Sequence, residues 1–242
     1  MLAFLLIIAL AASPEMVTIG PGPAVAKNGG PVDVDVGRFL LDVDLVSRTD
    51  FAAFVGDHPL WRRDRARALF VDERYLADWA SARAPGEDVD PAAPVTLVSW
   101  FAARAYCSAQ GKRLPTSAEW ELAAAASTTK KDARADPSFV AAILDWYGRP
   151  PAPLRANHRT QANLWGVRDL HGVVWEWVED FNFALVKDGR SGDGGALFCG
   201  AGASAADPAD YAGFMRLAFR SSLEARFALP VLGFRCAKDV LP

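Results

Sequence analysis

W-G-V-R-D-L-H-G-V-V-W-E-W-V-E-D, running from Trp165 to Asp180, is the stretch on which the reading of the chain turns. It gathers three of the eight tryptophans, one histidine and four carboxylates into sixteen residues. From Val173 the side chains alternate, with Val173, Trp175 and Trp177 on one side and Val174, Glu176 and Val178 on the other. That period belongs to a strand, and it sets one acid, Glu176, among aliphatic neighbours. A carboxylate in such company is costly unless a cation or hydrogen-bond donors satisfy it. From the residues alone, two readings stay open. Either this is a core strand with a hydrogen-bonded Glu176, or Asp169, Gly172 and Glu176 wrap an oxygen-rich loop around a hard cation such as calcium.

The wider composition sets bounds. A chain of 242 residues, 51% hydrophobic and 23% charged, can bury a sizeable core and is too apolar for a disordered protein. A net charge of -3 with no face dense in Lys or Arg argues against nucleic acid as a partner. The densest basic run, Arg62, Arg63, Arg65 and Arg67, is interleaved with Asp64 and reads as a solvated helix face. Met1 to Ala12 is apolar, too short to span a bilayer as a helix, and is followed by Ser13-Pro14. With small residues at Ala9 and Ala11 it reads as a signal segment over 1–13, although a positive n-region is missing; an uncleaved anchor or a misassigned start is the alternative. The expectation is an exported, periplasmic or extracellular protein with no further transmembrane segment. Three cysteines, Cys107, Cys199 and Cys236, then imply one disulfide and one free thiol, and their number does not choose the pair.

In order, Met16 to Ile19 is a short strand and Pro21 to Pro31 a turn-rich linker. Val32 to Asp44 alternates as a strand pair broken at Gly37. Ser47 caps a helix carrying Phe51, Phe54 and Val55, and Leu60 to Ala82 includes a second, irregular helix. Pro94 to Ser99 is a strand ending at an N-cap serine, and Phe101 to Gln110 a helix stopped by Gly111. Thr116 and Glu119 form a capping box. Lys130 to Asn163 is loop-dominated, with Arg149 to Pro153 excluding helix. Asn182 to Asp210 is a long Gly-, Ala- and Asp-rich loop around Cys199, of the kind that is usually functional or mobile. Val231 to Ala237 is a final strand. The result is an α+β chain, a single irregular domain over 14–242 with little regular structure.

Three segments then carry a resemblance. Pro94 to Ala123, PVTLVSWFAARAYCSAQGKRLPTSAEWELA, resembles the V-S-W, A-Y-C and G-K-R-L-P-T-E-A-E-W-E block of formylglycine-generating enzymes, the sulfatase-modifying factors. Trp165 to Asp180 resembles their G-L-Y-D-M-H-G-N-V-W-E-W-V-E-D block, and Leu232 to Cys236 their L-G-F-R-C. Phe39 to Val55 is a looser match. The resemblance implies a fold distantly similar to C-type lectins and a disulfide between Cys107 and Cys236. It implies a calcium site of the Asp169 and Glu176 side chains with the Gly172 and Val174 carbonyls.

It also implies copper(I) held by two thiolates five positions apart, with molecular oxygen as oxidant. Cys199 stands at the first thiolate position and is the candidate catalytic residue. Ser204 stands at the second, and a hydroxyl is a poor ligand for soft copper(I). Ala196 replaces the serine three residues before the first thiolate. His171, Met215 or a substrate cysteine are the remaining donors to such a copper. Arg220, in a segment similar to the family's R-x-x-x-R-S, is the candidate substrate-binding residue, whereas Arg235, Tyr106 and Trp175 read as structural. The expectation is an oxidase acting on a protein or peptide substrate through Cys199; the alternative is a non-catalytic binding or maturation-accessory protein on the same scaffold.

Overall fold

Helices begin where the sequence supplies caps. The computed structural model describes residues 14–27, 31–86, 89–150, 153–156, 160–182 and 208–240. Helix α1, Arg48–Asp57, opens on a Ser47–Asp50 capping box, and helix α3, Ser117–Ala124, on a Thr116–Glu119 one. Between them helix α2, Trp100–Ala109, starts at the Ser99 side chain, which accepts the Ala102 N–H. Gly111 follows it in the left-handed region, at φ 65°.

The strands are short. β1 (Met16–Ile19), β4 (Phe39–Asp42) and β7 (Ala237–Asp239) make an antiparallel sheet in the order β1-β4-β7. β2 (Gly22–Lys27) and β3 (Pro31–Val36) form a separate hairpin against which α3 packs. β5 (Trp175–Glu176) pairs in parallel with β6 (Leu232–Gly233), joining the Trp165–Asp180 stretch to the end of the chain. Gly233 is required there, because a Cβ would lie 2.9 Å from the Val95 carbonyl oxygen. This is an α+β fold of modest regular content, and its core reaches from Ile19 to Ala237.

Several expectations change. Pro21 to Pro31 is mostly strand, since its Pro and Ala residues accept an extended backbone at a hairpin. The strands on either side of Gly37 do not pair with each other: β3 joins β2, and β4 joins β1 and β7. Leu60 to Ala82 holds no α-helix. After a 3-10 turn at Pro59–Trp61 it is a series of turns, so the Arg62–Arg67 run is not a helix face. Pro94 to Ser99 contributes only an isolated bridge at Pro94. Lys130 to Asn163, read as loop, contains helix α4, Pro137–Gly148, capped by Asp136 with proline in its first turn. Helix α5, Pro208–Ser221, covers the segment before β6. Among the described residues no helix is long and apolar enough to cross a membrane.

Cys107 and Cys236 form a disulfide that clamps α2 to the terminal segment, both residues being fully buried. Beside it Asp42 accepts Lys112 Nζ at 2.6 Å and the Cys236 N–H at 3.0 Å. The bridge spans 129 positions, so its loss releases a long loop in the unfolded chain. Replacing both cysteines by serine should lower stability by about 2–5 kcal/mol in urea unfolding. An unchanged midpoint in that variant would show that the clamp contributes nothing.

Candidate functional site

The Trp165–Asp180 stretch is held by its own glutamate. The face predicted to carry Val174, Glu176 and Val178 is fully buried. Arg235 reaches across from the end of the chain, its Nε donating to Glu176 Oε2 at 2.8 Å and its Nη2 to Oε1 at 2.9 Å. The pair is sealed, both side chains showing 0% exposure. Nearby, Asp169 sits at φ 59° and Gly172 at φ 95°, so the backbone reverses tightly ahead of Val174. Asp169 Oδ1 accepts the Thr160 N–H at 2.9 Å, and the Asp169 N–H donates to Thr160 Oγ1 at 2.8 Å. The expected ligands Asp169, Glu176 and the Gly172 and Val174 carbonyls are all oxygen donors, a kind that suits a hard cation rather than a soft one. Any such cation would share Glu176 with the guanidinium that already neutralises it.

Against the same turn and strand lies a cavity beneath α5. Trp120, Trp146, Trp175, Arg216 and Arg220 line it, and Glu176 closes one wall. Trp120 comes from α3 and Trp146 from α4, while both arginines project from successive turns of α5. Tyr147 and Phe219 stack on Trp175 with ring centroids 4.9 and 4.4 Å away. The free volume is about 10 Å³, room for about one water molecule.

One carboxylate organises the cavity's charge. Glu121 Oε1 accepts Arg216 Nε and Arg220 Nη1, each at 2.9 Å, and Oε2 accepts Arg216 Nη2 at 2.7 Å. Arg216 Nη1 also donates to the Tyr147 hydroxyl at 3.0 Å. Burial pulls the Glu121 carboxyl upward, but the two guanidiniums outweigh it and hold it down to about 2. The Arg220 guanidinium lies 4.7 Å from the centre of the Trp120 ring.

His171 borders the same cluster. Its ring meets Trp120 and Phe139 edge-on, each at 5.7 Å. Nε2 lies 3.0 Å from the Ala124 carbonyl, so Nε2 carries the proton and Nδ1 is the bare nitrogen. Burial, followed by the charge of Arg216, lowers its pKa to about 4. It is a structural neutral histidine.

Val174 and Glu176, which share one turn and strand with Asp169 and Gly172, line the same cavity as Arg220. Cys107 and Cys236 pair in the disulfide beside Asp42. Cys199, with Ser204 and Ala196, lies outside the described residues. Tyr106 is core, stacked on Phe51 at 5.9 Å. Trp175, read as structural, lines the cavity. Glu121, Arg216 and Tyr147 were not singled out by sequence, although Arg216 and Arg220 are four apart and therefore on one helix face.

Among the described residues no thiol is left to hold copper: Cys107 and Cys236 are consumed by their disulfide, and the protonated Nε2 of His171 is held by the Ala124 carbonyl. Among the described residues no three His, Cys, Asp or Glu side chains gather as metal ligands.

Comparison with known proteins agrees with the motifs. The model of the sulfatase-modifying factor enzyme 1-like domain matches residues 9–240. The inactive C-alpha-formylglycine-generating enzyme 2 of Bos taurus is 30% identical, over 86% of this chain and 80% of that protein. The formylglycine-generating enzyme of Thermomonospora curvata is 28% identical, over 88% of this chain and 86% of its own length. Among solved structures, that of PvdO from Pseudomonas aeruginosa superposes with a TM-score of 0.52 at 18% identity, covering 94% of this chain and 95% of the other. At that identity the likeness concerns the fold.

The buried histidine makes stability pH-dependent. Unfolded, it titrates near its ordinary 6.5; folded, it titrates near 4. The unfolded chain therefore binds the extra proton between these values, and stability falls as pH drops from 6.5 towards 4. The loss should be on the order of 1–3 kcal/mol. Urea midpoints across this range should flatten in His171→Gln, and an equally steep profile in that variant would assign the dependence to other groups.

Proposed function

This chain belongs to the sulfatase-modifying factor enzyme 1-like family, the formylglycine-generating-enzyme group, and on that premise we propose that it is an exported binding or maturation-accessory protein on the family scaffold. The observation that carries this reading is the cavity beneath α5. It is walled by aromatic side chains stacked on one another, anchored by the Glu121–Arg216–Arg220 cluster, and has room for about one water molecule. A copper site held by two thiolates would need a second soft donor, and the hydroxyl of Ser204 is a poor one. The partner is a protein or peptide whose small anionic or polar end enters the cavity. Export is supported by the apolar run Met1 to Ala12 and by a buried disulfide, which suits an oxidising compartment.

A second reading is favoured by one observation. With Cys107 and Cys236 paired, Cys199 is the one cysteine outside that disulfide, at the first thiolate position of a family whose formylglycine-generating enzyme from Thermomonospora curvata is 28% identical over most of its length. In that reading Cys199 is the reactive residue of an oxygen-dependent oxidation of a protein or peptide substrate, and a substrate cysteine completes any copper site.

One experiment separates them. Purified protein is supplied with copper(I), oxygen and cysteine-containing peptides, and dissolved oxygen is followed. The binding reading expects no uptake above a Cys199→Ala control and an unchanged copper(I) titration in that variant. Peptide-dependent oxygen consumption that disappears in Cys199→Ala overturns it in favour of the oxidase.

A structural calcium ion is part of the same proposal, through the Asp169 and Glu176 carboxylates with the Gly172 and Val174 carbonyls. Its support is the hard donor set and the tight turn that presents it. Millimolar calcium should raise the unfolding temperature relative to EDTA, as any ligand of the native state does. Asp169→Ala should abolish the difference. Equal melting in calcium and EDTA would remove calcium from the proposal.

A further inference from the structure

Among the described residues the charges around the cavity do not balance. Arg216 and Arg220 bring two positive charges and share one carboxylate, Glu121. Glu176, the other acid on the wall, is already matched by Arg235. The described cluster therefore holds one more guanidinium than carboxylate.

The unmatched charge is localised on Arg220. Arg216 spends all three of its guanidinium nitrogens on Glu121 and Tyr147. Arg220 spends only Nη1, and among the described residues its Nε and Nη2 have no hydrogen-bond partner. Its side chain is only 8% exposed. The neighbouring Trp120 Nε1 and Ser221 Oγ are buried without partners, whereas the two unused Arg220 donors are not fully buried. A planar fork with two unused donor positions matches a carboxylate.

We propose that Arg220 anchors the carboxylate of a ligand that enters beneath α5, with the Trp120, Trp146 and Trp175 side chains excluding water around it. Room for about one water molecule admits one carboxylate oxygen and not a whole ligand, so the body of the ligand lies outside. This names the chemical class recognised by the binding site proposed above and rests on that reading only in taking this cavity as the site.

The test uses the purified full chain at fixed ionic strength, with tryptophan fluorescence and unfolding temperature as readouts. Acetate probes a free small carboxylate, N-acetylglycine the C-terminal carboxylate of a peptide, and N-acetylglycinamide the same body without charge. Saturable responses to acetate and N-acetylglycine are expected, with none to the amide. A response to N-acetylglycine alone assigns the site to peptide C-termini, and equal responses to both acids assign it to small carboxylates. Arg220→Gln should weaken binding at least tenfold. Should that variant fail to fold, Arg220→Lys keeps the charge facing Glu121 and removes the fork, so it should still weaken binding several-fold. Arg226→Gln, at an exposed arginine remote from the cavity, should bind as wild type does. Absence of any saturable response in wild type, an equal response to the amide, or undiminished binding by folded Arg220→Gln or Arg220→Lys overturns the proposal. Because no copper, oxygen or turnover is measured, acetate binding combined with Cys199-dependent oxygen uptake would overturn the function proposed above and leave this inference standing.

Discussion

The structure depends on one guanidinium. Arg235 directs all five of its N–H groups inward: to both oxygens of Glu176 and to the carbonyls of Asp42, Val43 and Arg168. Those acceptors lie at the end of β4, in the turn before Gly172 and on β5, up to 193 positions from Arg235 in sequence. Each ion alone would be intolerable in the core. Removing one partner of such a pair typically costs about 3–5 kcal/mol, because the other charge stays buried. The value of the pair lies in position: only one placement of the terminal segment against the Trp165–Asp180 turn satisfies both ions. The neighbouring disulfide and the Lys112–Asp42 pair then hold α2 against that placement.

The same logic recurs with a different balance beneath α5. Glu121 faces two arginines where Glu176 faces one. Both clusters are buried and both use Arg for its planar fork. One closes its account of charges and donors; the other leaves a cation with two unused donor positions beside a small cavity. That difference separates a cluster that only locks the fold from one suited to a ligand.

The legibility of these features in sequence follows the range of the forces. Ser47, Ser99, Thr116 and Asp169 act within a few residues, so caps and turns were readable from spacing. The burial of Glu176 followed from its period-2 neighbours, but its partner stands 59 positions away, and periodicity is silent about pairings across that distance. Helix α4 was missed because the Arg149 to Pro153 run dominated the reading, although Asp136-Pro137 is a helix start in its own right. The Arg62–Arg67 run was misread as helical because charge spacing alone says nothing about backbone closure. Trp175 was assigned to the core on residue type, and only the placement of α4 and α5 shows that it also walls a cavity.

What the motifs identify and what the site does are therefore separate matters. The residues that mark the family most strongly, Trp177, Glu176, Arg235, Cys107 and Cys236, are all buried and all engaged with other parts of the protein. They are kept by the requirements of packing and charge compensation, whatever chemistry the surface performs. The two positions on which a two-thiolate metal site would turn, Cys199 and Ser204, lie in a segment rich in Gly, Ala and Asp and outside the described residues. A hydroxyl at Ser204 is a harder donor than a thiolate, so every fold-marking motif can be present while one soft ligand is not. Membership of the family and the chemistry performed are therefore read from different residues, the first from buried ion pairs and packing, the second from the segment around Cys199.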